Sequence, residues 1–136
     1  MAVQYSTAVR NAQLDAIETT VSTAAILKIF GGTAPADCAT ADEAAGALVT
    51  MSLPSDWMAA ASSGTKAKSG TWQDTSADQT GTASHFRIYE TTATTCHMQG
   101  TVTLTSGGGD IELDSLSITA GQSVSLSTFV ITAGNA

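Results

Sequence analysis

Short apolar and polar runs alternate along the C-terminal half of the chain, separated by turns rich in Gly, Thr, Ser and Asn. In the run SHFRIYE, Phe86 and Ile88 lie on one face of an extended strand, and the residues between and beside them lie on the other. Residues Cys96–Leu104 alternate in the same way and form a hairpin with this run across the turn TTATT. The apolar phase slips inside 111–118 and again inside 124–131, so each segment contains a bulge or a turn. The pattern predicts about seven or eight short strands, a number that suits a β-sandwich or jelly roll.

The N-terminal part of the chain has a helical pattern instead. A short extended arm, Met1–Tyr5, precedes Ser6, which is a candidate N-cap, and a weak apolar stripe then runs to about Thr20. We predict a helix that packs on its own domain, with docking on a neighbouring subunit as the alternative. The chain length fits one domain. Within it, residues 1–22 form the arm and helix, and residues 23–136 form the β-sandwich.

The middle of the chain mixes buried strands with long polar connections. Ala25–Phe30 and Leu48–Leu53 are apolar runs typical of buried strands, and an Ala-, Gly- and acid-rich loop joins them. Trp57 follows, and we expect it to be buried at the edge of the core. The stretch from 59 to 83 is too long for a plain loop, so at least one strand is expected near Lys66–Gln73. Its tip, Asp74–Gly81, is predicted to be a mobile projection.

Composition narrows the class of partner. Only 12% of the residues are charged, about half of the roughly 25% usual in soluble domains, and Ser and Thr make up the difference. The net charge of -7 repels nucleic-acid phosphates and anionic lipids, so direct binding to nucleic acid or membrane is not expected. No run approaches the roughly 20 apolar residues of a membrane span, and the N-terminus lacks a secretory pattern. We expect a protein made in the cytosol and not processed.

No motif in the chain predicts catalysis. There is no G-x-S-x-G nucleophile elbow, no cysteine with a suitably placed His and Asn, and no carboxylate pair in an apolar setting. The SGGGD segment has no following Lys and opens no helix, so it is a turn and not a phosphate cradle. The prediction is a protein that is not an enzyme and has no cofactor.

Metal-ligating residue types are present, but their spacing does not favour a metal site. Cys96 and His97 are neighbours on a strand and point to opposite faces, so one ion cannot readily bind both. Asp110, Glu112 and Asp114 repeat at the strand period and line one face. A solvated acidic face is the preferred interpretation there, with a calcium site as the alternative.

Cys38 and Cys96 lie far apart in sequence and form no C-x-x-C arrangement. This spacing disfavours a redox motif or a zinc knuckle. Two reduced, mostly buried thiols are the preferred interpretation. A disulfide within or between subunits is the alternative, and an oxidising environment would favour it.

Five segments carry a resemblance to known proteins: MAVQYSTAVRNAQLDAIETT, LKIFGGTAPADC, LPSDWMAAASSGTKAKSGTW, SHFRIYETTATTCHMQGTVT and ITAGQSVSLSTFVITAGNA. Together they resemble small virion structural proteins of tailed bacteriophages and prophages, over nearly the whole chain. The resemblance implies a β-sandwich building block, made in the bacterial host cytoplasm and located in the virion, with no cofactor and no catalytic residues.

Two roles in a virion follow from the resemblance. The first is a head decoration, or cement, protein that binds the major capsid protein or other virion proteins on the outer capsid surface, as a homo-oligomer, through many weak polar contacts. The arm and helix are the expected docking segments. Their candidate docking residues are Val3, Tyr5, Val9, Leu14 and Ile17.

The second role is a tail-associated protein of the collar, fibre base or tail tip, which would present an exposed loop. The candidate residues of that loop are Trp72, Asp74 and Asp78. A third hypothesis, from another class, is a carbohydrate-binding module that recognises the host surface. Such sites need exposed aromatic side chains, and Trp72 is the candidate platform.

Overall fold

The computed structural model describes residues 2–134, which form one α-helix and eleven short β-strands. The helix is α1 (Thr7–Val21). The strands are β1 (Ile26–Phe30), β2 (Val49–Ser52), β3 (Thr65–Ala67), β4 (Trp72–Asp74), β5 (Gly81–Thr82), β6 (His85–Tyr89), β7 (Cys96–Leu104), β8 (Ile111–Leu113), β9 (Ser117–Ile118), β10 (Val124–Leu126) and β11 (Val130–Thr132). The predicted mainly-β class with a short N-terminal helix is confirmed.

A five-stranded sheet in the order β2-β1-β6-β7-β8 forms the centre of the fold. Its neighbours are antiparallel except for β7 and β8, which are parallel. Two-stranded ladders pair β10 with β4, β11 with β3 and β5 with β9. The sheets are curled into a half-barrel. The predicted hairpin of β6 and β7 is confirmed, and so are the breaks within 111–118 and 124–131.

The stretch from 59 to 83 supplies three strands, β3, β4 and β5, so the expectation of at least one strand there is confirmed. Each pairs with a strand from the last quarter of the chain, in order β11, β10 and β9. Residues that look like a long loop in the sequence therefore pair as strands with distant partners near the end of the chain.

The parallel pairing of β7 and β8 requires the chain to double back within residues 105–110. Gly107 and Gly109 make this reversal against Thr103 sterically feasible. A Cβ on Gly107 would lie 2.7 Å from the Thr103 Cβ, and a Cβ on Gly109 would lie 2.8 Å from the Thr103 Cγ2. The predicted turn at SGGGD is therefore confirmed, and packing against β7 is the reason for its glycines.

The core contains a chain of aromatic rings that joins the central sheet to the smaller ladders. Ring centroids are 5.9 Å apart for Trp57 and Trp72, 5.3 Å for Trp72 and Phe129, and 5.8 Å for Phe86 and Phe129. Trp57 is fully buried, as expected, and its Nε1 donates a hydrogen bond to the Ser22 carbonyl at 2.9 Å. Trp72 is also fully buried. Its prediction as an exposed loop residue is wrong, because β4 carries it into this core.

Both faces of β6 are buried. Phe86 and Ile88 belong to the hydrophobic core, as the alternation predicts. The opposite face, which carries His85, Arg87 and Tyr89, is only 1–2% exposed. Residues 31–48, here called the β1–β2 loop, contribute the groups that contact Arg87 and Tyr89.

Candidate functional site

The N-terminal arm and α1 are the segment for which the sequence predicts partner docking. Residues 2–6 precede the helix, and the Ser6 Oγ accepts a hydrogen bond from the Val9 backbone N–H at 3.2 Å. The predicted N-cap is therefore confirmed. At the other end, the Ser22 N–H donates to the Glu18 carbonyl at 2.8 Å, and Ser22 leaves the helix with a φ of 75°.

The predicted docking residues fall into two groups. Val3, Tyr5 and Val9 are exposed, by 70%, 46% and 43%. Leu14 is only 4% exposed, and Ile17 is partly buried and packs on the core. The assignment of Leu14 and Ile17 to an outer docking surface is wrong, because the apolar stripe of α1 faces its own domain. The exposed residues of the arm and first helical turn remain as a candidate interaction surface.

Charged residues fasten α1 to the domain. The Lys66 ammonium on β3 lies 2.7 Å from the Asp15 Oδ1 and 2.9 Å from the Glu18 Oε2, and its side chain is only 1% exposed. Burial alone would lower the pKa of Lys66, but the hydrogen bonds from its ammonium to Asp15 and Glu18 outweigh burial and raise that pKa. The hydrogen bond from Lys66 in turn lowers the pKa of Asp15. Asp15 and Glu18 therefore both bind this buried cation and hold α1 against β3.

Further polar contacts join α1 to the turn before β3. The Gly64 and Ala61 N–H groups donate to the Asn11 Oδ1 at 2.9 Å and the Asp15 Oδ1 at 3.0 Å. The Arg10 Nη1 donates to the Ala133 carbonyl at 3.3 Å. The helix is thus held at several points, while the arm in front of it remains at the surface.

The candidate exposed loop is fastened to β2. Asp74 is partly buried, and its Oδ2 accepts from the Thr50 N–H at 3.0 Å. Asp78 is exposed, as predicted, and its Oδ2 accepts from the Thr50 hydroxyl at 2.7 Å. Ala77, between them, is buried. The tip at 74–81 is therefore packed against the sheet and does not form the predicted projection.

Sequence reasoning missed a polar cluster around Arg87 on the outer face of β6. The Arg87 side chain is 1% exposed, and its Nη1 donates to the Asp42 Oδ1 at 2.5 Å. Its Nη2 donates to the carbonyls of Cys38 and Thr40, both at 2.9 Å. The Tyr89 hydroxyl donates to the same Asp42 oxygen, and burial followed by this contact raises the pKa of Tyr89. A lone cation inside a strand flanked by aromatic residues was the available signal.

The two cysteines meet beside this cluster. The Cys38 Sγ lies 3.0 Å from the Cys96 Sγ, and the Arg87 Nε donates to the Cys96 Sγ at 3.2 Å. Both cysteines are partly buried, less than the predicted mostly buried thiols. Burial, and then the neighbouring Cys96, raise the pKa of Cys38 to about 11.

The residues that looked suited to metals are engaged with the protein itself. Within residues 2–134, no three His, Cys, Asp or Glu side chains are grouped so as to hold an ion. The Asp110 Oδ2 accepts from the Thr101 N–H at 2.8 Å, and Glu112 accepts from the Ser106 and Gly108 N–H groups, both at 3.1 Å. Asp110 and Asp114 are exposed and Glu112 is half-buried, so the predicted solvated acidic face is confirmed, and the hydrogen bonds of Asp110 and Glu112 also stabilise the reversal between β7 and β8.

Comparisons with protein-family models, with curated proteins and with solved structures found no match to this chain. Within the part of the chain that the structure describes, no helix has the length and apolar character needed to cross a bilayer.

Proposed function

We propose that this protein is a non-enzymatic structural protein of a tailed-bacteriophage virion, a head decoration protein that binds the outer surface of the major capsid protein. The observation that carries the proposal is the N-terminal segment. Val3, in the arm before α1, and Val9, in the first turn of α1, expose apolar side chains. The buried Lys66 and the contact of Arg10 with the Ala133 carbonyl hold this helix in place. A firmly held helix that presents an exposed arm suits docking on a larger assembly.

The composition of the chain supports the same role. A net charge of -7 with many Ser and Thr residues provides hydroxyl and carboxylate groups for polar contacts. Each such contact is weak, but a decoration protein that binds as a homo-oligomer at many equivalent sites on a shell gains avidity from their number. The resemblance of the five segments to virion proteins provides the context.

We also propose that the domain is a β-sandwich related to the jelly roll. The five-stranded sheet would form one layer, and the ladders of β10 with β4 and β11 with β3 would form the other. One hydrophobic cluster supports this arrangement, because it joins Leu27 and Ile88 of the central sheet to Trp72, Leu126 and Phe129.

The test is incorporation into virions. The variant Val3→Ser/Val9→Ser should lower occupancy about tenfold in competition with the wild type, since apolar area buried on the partner is lost. Leu104→Ser/Val130→Ser is the matched control, because these residues are 50% and 54% exposed and lie outside the arm. The control should leave occupancy unchanged, and thermal melts should show that both variants fold.

Wild-type occupancy of the arm variant would overturn docking through the arm. Truncation of residues 1–20 is a poor substitute, because it removes Leu14 and the carboxylates that compensate Lys66. Imaging of virions in which this protein is labelled shows whether it lies on the head or on the tail. Label over the whole shell supports the decoration role, label confined to the tail favours the tail-associated alternative, and virions without the protein would end both.

A further inference from the structure

We propose that Cys38 and Cys96 are a redox pair that closes to an intramolecular disulfide by exchange with a low-molecular-weight disulfide, thereby locking the β1–β2 loop onto the central sheet. The two Sγ atoms already lie 3.0 Å apart. Cys96 is the first residue of β7, whereas Cys38 lies in the loop. The inference goes beyond the virion role and does not depend on it.

The protein positions both sulfur atoms before any oxidation. Arg87 donates through its Nη2 to the Cys38 carbonyl at 2.9 Å and through its Nε to the Cys96 Sγ at 3.2 Å. A second anchor lies on the same strand as Cys96, where the Gln99 Nε2 donates to the Pro35 carbonyl at 2.9 Å. Because the loop is held on both sides of Cys38, bond formation requires only a small movement of the two side chains.

The pair is accessible to a small reagent. Cys38 and Cys96 line a surface cleft of about 490 Å³ together with Arg87, Thr40 and Thr95. Both cysteines are partly exposed. The cleft therefore admits a low-molecular-weight disulfide such as oxidised glutathione.

The chemistry is a pair of thiol–disulfide exchanges. The Cys96 thiolate attacks one sulfur of the small disulfide, forming a mixed disulfide and releasing one small thiolate. The Cys38 thiolate then attacks the Cys96 sulfur, which closes the protein disulfide and releases the second small thiolate. Two protein thiols are oxidised, one small disulfide is reduced to two thiols, and the released thiolates take up the two cysteine protons.

The structure also indicates which cysteine reacts first. The Arg87 Nε donates to the Cys96 Sγ, which places a positively charged group directly against this sulfur, so Cys96 makes the first attack. Burial, and then the neighbouring Cys96, raise the pKa of Cys38 to about 11, so Cys38 makes the second, intramolecular attack.

The test treats the folded protein with oxidised glutathione and follows it by intact mass, peptide mapping and thermal melting. The wild type should lose two hydrogen atoms, link the Cys38 and Cys96 peptides and retain no glutathione. Its melting midpoint should rise by about 10 °C, because the cross-link restricts the unfolded chain, and should return after reduction. Cys38→Ser should keep glutathione on Cys96, whereas Cys96→Ser should be modified much more slowly.

The double variant Cys38→Ser/Cys96→Ser is the control for non-specific effects of the oxidant and should show no change. Glutathione on both cysteines of the wild type, a disulfide-linked dimer on a non-reducing gel, or an unchanged melting midpoint would each overturn the proposal. The wild-type measurement is sufficient even where a serine variant fails to fold.

Discussion

Lys66 and Arg87 are both buried cations, and each fastens a different peripheral segment to the sheets. Lys66 holds α1 through Asp15 and Glu18, whose side chains are 47% and 23% exposed. Arg87 holds the β1–β2 loop through one carboxylate, that of Asp42, and through backbone carbonyls. The compact ammonium thus depends on charged partners, whereas the planar guanidinium distributes several donors over the backbone of a loop. The attachment of α1 should consequently weaken in acid, when Asp15 and Glu18 are protonated. The attachment of the β1–β2 loop should depend on the shape of the Arg87 side chain.

The largest effect is expected from Arg87→Met. This substitution removes the cation that compensates the Asp42 carboxylate and the donor of the loop carbonyls, and the free energy of unfolding should fall by about 3–5 kcal/mol. Urea unfolding measures the loss. Lys68→Met is the matched control, because Lys68 is a less buried cation that bonds to the nearby Gly70 carbonyl, and it should cost less than about 1 kcal/mol. Equal losses for the two variants would contradict the importance of the buried guanidinium.

A somewhat smaller loss, about 2–4 kcal/mol, is expected from Lys66→Met, since its carboxylate partners can turn towards water. Hydrogen exchange distinguishes the two attachments. Amides of Thr7–Val21 should exchange faster in the Lys66 variant, and amides of residues 31–48 should exchange faster in the Arg87 variant. A uniform increase over the whole chain in both variants would show that neither cation acts on its own segment.

The smallest effect is a change in acid sensitivity. The pKa of Asp15 is lowered from 3.8 in the folded protein, so its stabilising contribution is complete above that value and is lost as the pH falls below it. Unfolding measured in urea between about pH 5 and pH 2 should therefore show a shallower loss for Asp15→Asn than for the wild type.

Glu90→Gln provides a control in the same pH range. The pKa of Glu90 is lowered to about 2, mainly by the hydrogen bond from the Thr92 hydroxyl. Burial opposes this shift, and hydrogen bonds from backbone N–H groups of the same turn add to it. This substitution should also flatten the acid profile, but it should leave hydrogen exchange in α1 unchanged. Faster hydrogen exchange in α1 of the Glu90 variant would indicate that the acid sensitivity of unfolding does not measure the attachment of the helix.

Local patterns in the sequence were sufficient for several features of the fold. The period of two in β6 and β7 predicted their hairpin, and Ser6 was recognisable as an N-cap from its residue type and position. Trp57 was correctly predicted to be buried. Such features depend on residues close together in the chain, where backbone geometry fixes which side chains share a face.

The covering of those faces could not be predicted in the same way. The alternation in β6 separates Phe86 from Arg87 but contains no information on what lies against Arg87. The partner of Arg87 is Asp42 of the β1–β2 loop, 45 residues earlier in the chain. The burial of Trp72 likewise depends on pairing of β4 with β10. The burial of Leu14 depends on the packing of α1 against its own domain.

The chain alone therefore established a mainly-β domain with an N-terminal helix, an acidic hydroxyl-rich composition and the positions of its turns. Long-range packing established that two buried cations fasten the helix and the β1–β2 loop, that Trp72 belongs to the core, and that Cys38 meets Cys96 across 58 residues. The physical reason is that periodicity along a strand specifies two faces, whereas burial of a charged or polar face depends on which distant groups can satisfy its hydrogen bonds.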